Sequence, residues 1–451
     1  MNNNQARYAA LLLKTRRKQK GWSQESVCKG ICAVSYYSKI ESGNVIPARS
    51  ILKDLADALE MELPEFETEE SCKDELHAGS QRKKQPENGN TRFNDRKDVF
   101  KTRIYPPDFQ FSQPQEIADL WQLLRSGHTV QAQEQFSEKL IPGSICSSAR
   151  IAPHPELFDF AHPCSLDVLL LMSLFGLFDL FSVFDPEELY PCLNNEQKAV
   201  CSLIAKDFDR AAFYCQEGWI LLMAAFGRYQ ARQSDYQVLL RLEKAYDQAA
   251  TEGYPYLMAS ASHIMGIVCA NILDHPGAKE YFHRTYRLFN ELNDEESLDQ
   301  VRYNLGCLAL EEGNALQALQ WLEQVKSPSV MDLQKQVICL EWLGRKEEAL
   351  LKMNLYKEAN HAGWDPKLVD QIFELSRIRL CQSDWIHQEA YGKLLLDVYQ
   401  ELTRTHTHKG FAQFHLPWVI QYLKANRQYA KAAAILENFP GKPLFTLPEA
   451  S

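Results

Sequence analysis

The chain has 451 residues, 45% of them hydrophobic and 24% charged, with a net charge of −10. That length leaves room for two or three domains or one extended solenoid, and burial of a core is no limitation. The charge is uneven: residues 1–60 hold ten Lys/Arg against five Asp/Glu, the remainder 39 against 54, so only the basic head is expected to meet phosphate, and the acidic body would be repelled by DNA. Twelve cysteines are scattered without CxxC or a Cys/His cluster at zinc spacing, which fits buried thiols in a reducing cytosol and no metal. The first residues, MNNNQARYAA, lack an apolar signal core, so a cytoplasmic protein is expected.

Residues 5–20 predict a first helix with Tyr8, Leu11, Leu12 and Thr15 along one side and Arg16, Arg17, Lys18 and Lys20 crowding the end before Gly21. Cations there suit the negative end of the helix dipole, and can also touch phosphate. Ser23 is a good N-cap for a short helix over 24–29. Ile31 and Val34 flank a tight turn and are expected to point at the core. A second short helix over 34–42 follows, stopped by Gly43 as a left-handed cap. On it Tyr37 and Ile40 sit three apart and face inward, while Ser35, Tyr36, Ser38 and Lys39 fall on the other faces. Such a helix fits the major groove of B-DNA. The stripe Ile51, Leu52, Leu55, Ala56, Leu59 on a helix over 50–61 closes a four- or five-helix bundle, which ends at Pro64.

The stretch SQESVCKGICAVSYYSKIESG, residues 23–43, resembles the Cro/CI-type (XRE) helix-turn-helix throughout, with a turn one residue shorter than the generic pattern. The resemblance implies that Ser23 and Gln24 contact phosphate at the start of the first inner helix. It also implies that Val34, Ser35, Tyr36 and Lys39 approach bases, and that Ser38 and Asn44 contact phosphate. Lys39 would donate to guanine O6/N7 and Val34 would meet a thymine methyl.

Residues 67–98 are nearly devoid of aliphatic side chains and mix both charges with Gly, Asn and Pro, which predicts a linker. The apolar run 166–184 is long enough to raise a membrane question, but Asp167 and Asp179 with the central Gly176 argue for a buried helix, or two broken near Gly176, and no membrane span. From about residue 112 everything reads helical, and small alanines recur at Ala245, Ala278, Ala318 and Ala349, with weaker copies at Ala132, Ala390 and Ala432. The clearest unit is YNLGCLALEEGNALQALQWLEQVKSP, residues 303–328. In it Gly306 allows close helix packing, Gly313 turns the chain, Ala318 fits the contact, and Trp321 and Leu322 fill the groove. Gly266, Ala278 and Phe282 hold the corresponding places one repeat earlier. This resembles the tetratricopeptide repeat, whose stacked units leave a concave surface lined by first helices that suits an extended peptide.

There is no GxSxG, HExxH, P-loop or dinucleotide fingerprint, and His406 and His408, two apart, would face different sides of a helix. No enzyme and no cofactor is expected. For ligand binding Asn304 stands out: an inner-helix carboxamide both donates to and accepts from a peptide backbone. By repeat phase Arg302, His263, Ile264 and Lys335 lie nearby, and Arg302 or Lys335 would take a peptide carboxylate.

An XRE head followed by helical repeats is similar in architecture to the RNPP family of quorum-sensing regulators. The implied fold is all-α: a four- or five-helix helix-turn-helix domain at 1–66, a polar linker at 67–105, and a right-handed tetratricopeptide-like solenoid at 106–451. The implied function is a transcriptional regulator acting as a homodimer on a palindromic operator in double-stranded DNA, with the repeats binding a short signalling peptide. The alternative is a DNA-tethered scaffold whose repeats recruit a protein partner.

Overall fold

The computed structural model describes residues 2–64, 114–140, 160–161, 165–231, 235–359, 361, 363–405 and 409–437; the expected linker at 67–105 and His406 and His408 lie outside them. Every regular element among the described residues is helical, and the chain divides into two compact units, Met1–Cys215 and Gln216–Ser451.

The first unit opens with four helices: α1 (Asn3–Gln19), α2 (Gln24–Cys28), α3 (Val34–Glu41) and α4 (Arg49–Ala58). A capping box of Asn2 with Gln5 starts α1, and Arg16, Arg17 and Lys18 occupy its last turn, satisfying orphan donors at one end and complementing the dipole at the other. Ser23 caps α2 by accepting from the Ser26 amide at 3.1 Å. After α3, Gly43 adopts φ +69°, and the Asn44 amide reaches back to the Lys39 carbonyl at 3.0 Å. Such a left-handed stop favours glycine because no Cβ meets the following carbonyl. The core beneath holds Leu12, Leu13, Tyr37, Ile40, Leu52, Leu55 and Leu59. Val34 departs from expectation: placed at the first turn of α3, it is 42% exposed and does not reach the core.

The same unit continues through α5 (Pro114–Arg125), α6 (Thr129–Leu140), α7 (Leu166–Leu174), α8 (Pro186–Leu189), α9 (Asn195–Ile204) and α10 (Phe208–Tyr214). The apolar run breaks near Gly176, as its sequence predicts: α7 ends at Leu174, Gly176 takes φ +72°, and only a 3₁₀ turn, Leu180–Ser182, follows. A second 3₁₀ turn, Tyr190–Cys192, packs with α8 against α1. There Arg7 donates to the Pro191 carbonyl at 3.1 Å and Lys14 pairs with Glu188 at 2.7 Å.

The second unit runs through α11 (Gly218–Gln230), α12 (Asp235–Glu252), α13 (Pro255–Asn271), α14 (His275–Leu292), α15 (Glu295–Glu311), α16 (Ala315–Leu322), α17 (Val330–Trp342), α18 (Lys346–Met353), α19 (Pro366–Cys381), α20 (Glu389–Thr405), α21 (Lys409–Ala425) and α22 (Tyr429–Glu437). Consecutive helices pack as antiparallel pairs, α11 with α12, α13 with α14, α15 with α16 and α17 with α18. The small residues do what the repeat reading assigns them. Ala245, Ala278, Ala318 and Ala349 are buried. A Cβ on Gly266 would come within 2.5 Å of the Phe282 ring, and one on Gly306 within 2.6 Å of Leu322 Cγ. Ala390 is the exception, exposed in the first turn of α20. Two residues on, Gly392 makes the close contact, with the Tyr422 ring filling the space of its missing side chain.

Candidate functional site

On the head, the outer face of α3 presents Val34, Ser35, Ser38 and Lys39 to solvent, with Tyr36 half-buried at its edge. These positions share a face because residues three and four apart on a helix are neighbours, and the opposite side carries the buried Tyr37 and Ile40. Ser23 is exposed at the start of α2, while Asn44, also exposed, donates to the Ser42 hydroxyl at 2.9 Å.

What holds this face in place joins three helices. Arg17 of α1 donates through Nε and Nη2 to the two carboxylate oxygens of Glu41 on α3, at 2.6 and 2.9 Å. Gln24 of α2 donates one of its two side-chain N–H groups to the same carboxylate at 2.7 Å, so the other N–H and the backbone amide remain for phosphate. Burial pushes the Glu41 carboxyl up, but the hydrogen bonds from Arg17 and Gln24 outweigh it and hold the group below its ordinary range. Replacing Ser23 with alanine removes the α2 cap and is expected to cost the head about 1 kcal/mol, read as a lower urea midpoint for exchange of the α2 amides.

In the second unit, the structure brings Asn304 and His263 together: the Asn304 carboxamide nitrogen lies 2.7 Å from His263 Nε2. An amide nitrogen can only donate, so Nε2 accepts and the ring is neutral with its proton on Nδ1. Burial among α13, α14 and α15 pushes the imidazole down to about 4, which agrees with that tautomer. The folded state therefore resists protonation. Its stabilising contribution is present above the ordinary value of 6.5 and declines as pH falls towards 4. An NMR titration of the His263 ring should give a midpoint about 4, and a midpoint above 6 would exclude the bond.

Ile264, half-buried, adjoins the pair on α13. Arg302 and Lys335 sit elsewhere. Arg302, two residues before Asn304 and so on the other side of α15, is buried in ion pairs with Glu295 and, at 2.8 Å, with Asp299. Lys335 is buried too, donating to Gln334 at 2.7 Å with its ammonium 3.9 Å over the Phe414 ring of α21. Burial pushes its amine down. Repeat phase misses half-buried neighbours on the Asn304 side of α15, Tyr303, Cys307 and Glu311. The spacing 304, 307, 311 is the signal that finds the last two. Burial pushes the Glu311 carboxyl up to about 7.

Among the described residues no group of three or more His, Cys, Asp or Glu could hold a metal ion, and no helix is long and apolar enough to cross a membrane. The family model described as HTH_3, helix-turn-helix, matches residues 13–66. The head is a helix-turn-helix domain of the XRE type. In it α2 and α3 are the paired helices, and α3 takes the place of the second helix of the motif. No curated protein matches the chain. Among solved structures it is similar to a Rap protein complexed with competence and sporulation factor, with 13% identity and a TM-score of 0.49, covering 72% of this chain and 95% of that one.

Proposed function

We propose that the protein is a sequence-specific transcriptional regulator, cytoplasmic and homodimeric, that binds a palindromic operator and is controlled by a short peptide held in its repeat unit. The observation that carries the DNA half is the exposed Val34–Lys39 surface of α3 in a domain matched as helix-turn-helix. Ser35, Tyr36, Val34 and Lys39 approach bases; Ser23, Gln24, Ser38 and Asn44 position the phosphates. One small head buries too little surface for useful affinity, so two heads on two half-sites are needed.

The peptide half is supported by Asn304. With its nitrogen on His263 it still offers a carbonyl oxygen to a backbone N–H. A peptide that favours one curvature of the repeats would shift the head spacing by population shift. The reading is tested by selecting a duplex from a random pool, then measuring its affinity across a synthetic heptapeptide library. At least one peptide should change the affinity, and Asn304→Ala should abolish that change. Intact DNA binding with no peptide effect, and a protein partner captured in stoichiometric amount, would instead favour the DNA-tethered scaffold.

A further inference from the structure

A second polar site lies in the first unit, away from the recognition helix. A cavity of about 440 Å³ opens between α8, the Tyr190–Cys192 turn, α9 and α10, lined in part by Tyr190, Pro191, Lys198, Arg210 and Tyr214, with Glu187 its single carboxylate. Its size is that of a small-molecule pocket. Its walls combine two cations with two aromatic rings. The Arg210 guanidinium stacks 4.3 Å from the Tyr190 ring and 5.7 Å from that of Tyr214, and Lys198 Nζ lies 5.8 Å over Tyr214. Tyr190 is fixed from behind by a 2.9 Å hydrogen bond to the buried Ser202 hydroxyl.

Among the described residues no carboxylate lies within ion-pair distance of Lys198 or Arg210, although Asp207 acts on Arg210 through space and the Arg210 guanidinium also reaches the Tyr214 hydroxyl at 3.5 Å; the adjacent Glu188 is taken by Lys14. Lys198 and Arg210 both lie over the Tyr214 ring, and against the one wall carboxylate, Glu187, they leave the lining net positive, which favours an anion. The planar fork of arginine beside a lysine point charge matches a phosphate group, which offers several oxygens at once. Tyrosine faces beside them accept a stacked base.

We propose that this cleft binds a phosphate ester, with Arg210 and Lys198 on its oxygens and Tyr214 against the attached ring. The phosphate comes either from a free nucleotide, whose base then meets Tyr214, or from the backbone of duplex DNA, where only Arg210 and Lys198 engage and no base stacks. The cleft also touches the helix-turn-helix directly, since the carbonyl of its wall residue Pro191 accepts from Arg7, whose side chain packs 3.4 Å from where a Cβ on Gly43 would stand at the end of α3.

The test uses the full chain and the Arg210→Ala, Lys198→Ala and double variants, with thermal melts confirming that each folds. Adenosine monophosphate and adenosine are titrated by calorimetry, and a selected duplex is titrated across a salt series. If the phosphate is free, the monophosphate binds one per chain, adenosine binds at least about tenfold more weakly, and each single variant loses roughly tenfold. If it belongs to DNA, the monophosphate does not bind. Each single variant then weakens duplex binding uniformly across sequences and lowers the salt slope by about one. A folded double variant that leaves both nucleotide and duplex binding unchanged overturns the proposal. A wild-type chain that binds the nucleotide but no duplex overturns the DNA reading and leaves this site standing.

Discussion

Replacing Arg17 with alanine is expected to destabilise the head by about 3 kcal/mol, because it leaves the Glu41 carboxylate buried without its main partner. Both side chains are well screened from water, at 15% and 4% exposure, so the effect belongs to the buried class of ion pair and not to the surface class, worth about 1 kcal/mol or less. The pH dependence gives a second handle. In the native head the Glu41 carboxyl lies below its ordinary 4.5, so its contribution is present above that value and is lost as pH falls through the lowered one. In the variant burial is opposed only by Gln24 and Tyr37, and the penalty for keeping the group charged is relieved by protonation. The gap between wild type and variant should therefore be widest at neutral pH and shrink below about 4.5. Hydrogen exchange of the α1 and α3 amides measures it. A gap that stays constant from pH 7 to pH 4 would show that Glu41 is not the group responsible. Arg17→Lys keeps the charge without the fork and should fall between the two.

Gly306→Ala is expected to cost the second unit about 1–2 kcal/mol, the upper part of the range left after propensity is subtracted. Alanine in a helix interior gains roughly 1 kcal/mol over glycine in propensity. The new methyl would nevertheless stand 2.6 Å from Leu322 Cγ, and Leu322 is fully buried. Overpacking of that kind costs about 1–3 kcal/mol before propensity is counted, and here a carbonyl, that of Ala318, lies close behind at 3.3 Å. Shortening Leu322 should relieve the collision, so Gly306→Ala and Leu322→Ala together should destabilise by less than the sum of the single changes. Strict additivity in urea unfolding would mean that the two helices do not meet at this point.

Local chemistry made much of this architecture legible. The caps at Ser23 and Gly43 delimit α2 and α3 from sequence to within a residue or two, and the glycine–alanine spacing of residues 303–328 identifies which helices pack. Contacts between distant residues were not legible. Nothing local in the basic run at 16–20 marks Arg17, rather than its neighbours, as the partner of Glu41. Repeat phase places Lys335 on an inner helix, but α17 is buried along Val330–Leu340 and Phe414 of α21 covers the amine. Arg302 could have been separated from Asn304 by angle alone, since two helical positions are about 200° apart around the axis. The Arg210 cleft, drawn from four short elements, has no spacing signature at all.

The most direct test of the central claim, that the exposed face of α3 enters the major groove, is methylation interference on a selected duplex with the wild-type chain and Lys39→Ala. Methyl groups at guanine N7 should block wild-type binding at symmetric positions in two half-sites, and one guanine per half-site should become indifferent in the variant. Interference unchanged by Lys39→Ala would remove that side chain from base readout, and wild-type binding insensitive to every major-groove methyl would contradict the groove assignment itself.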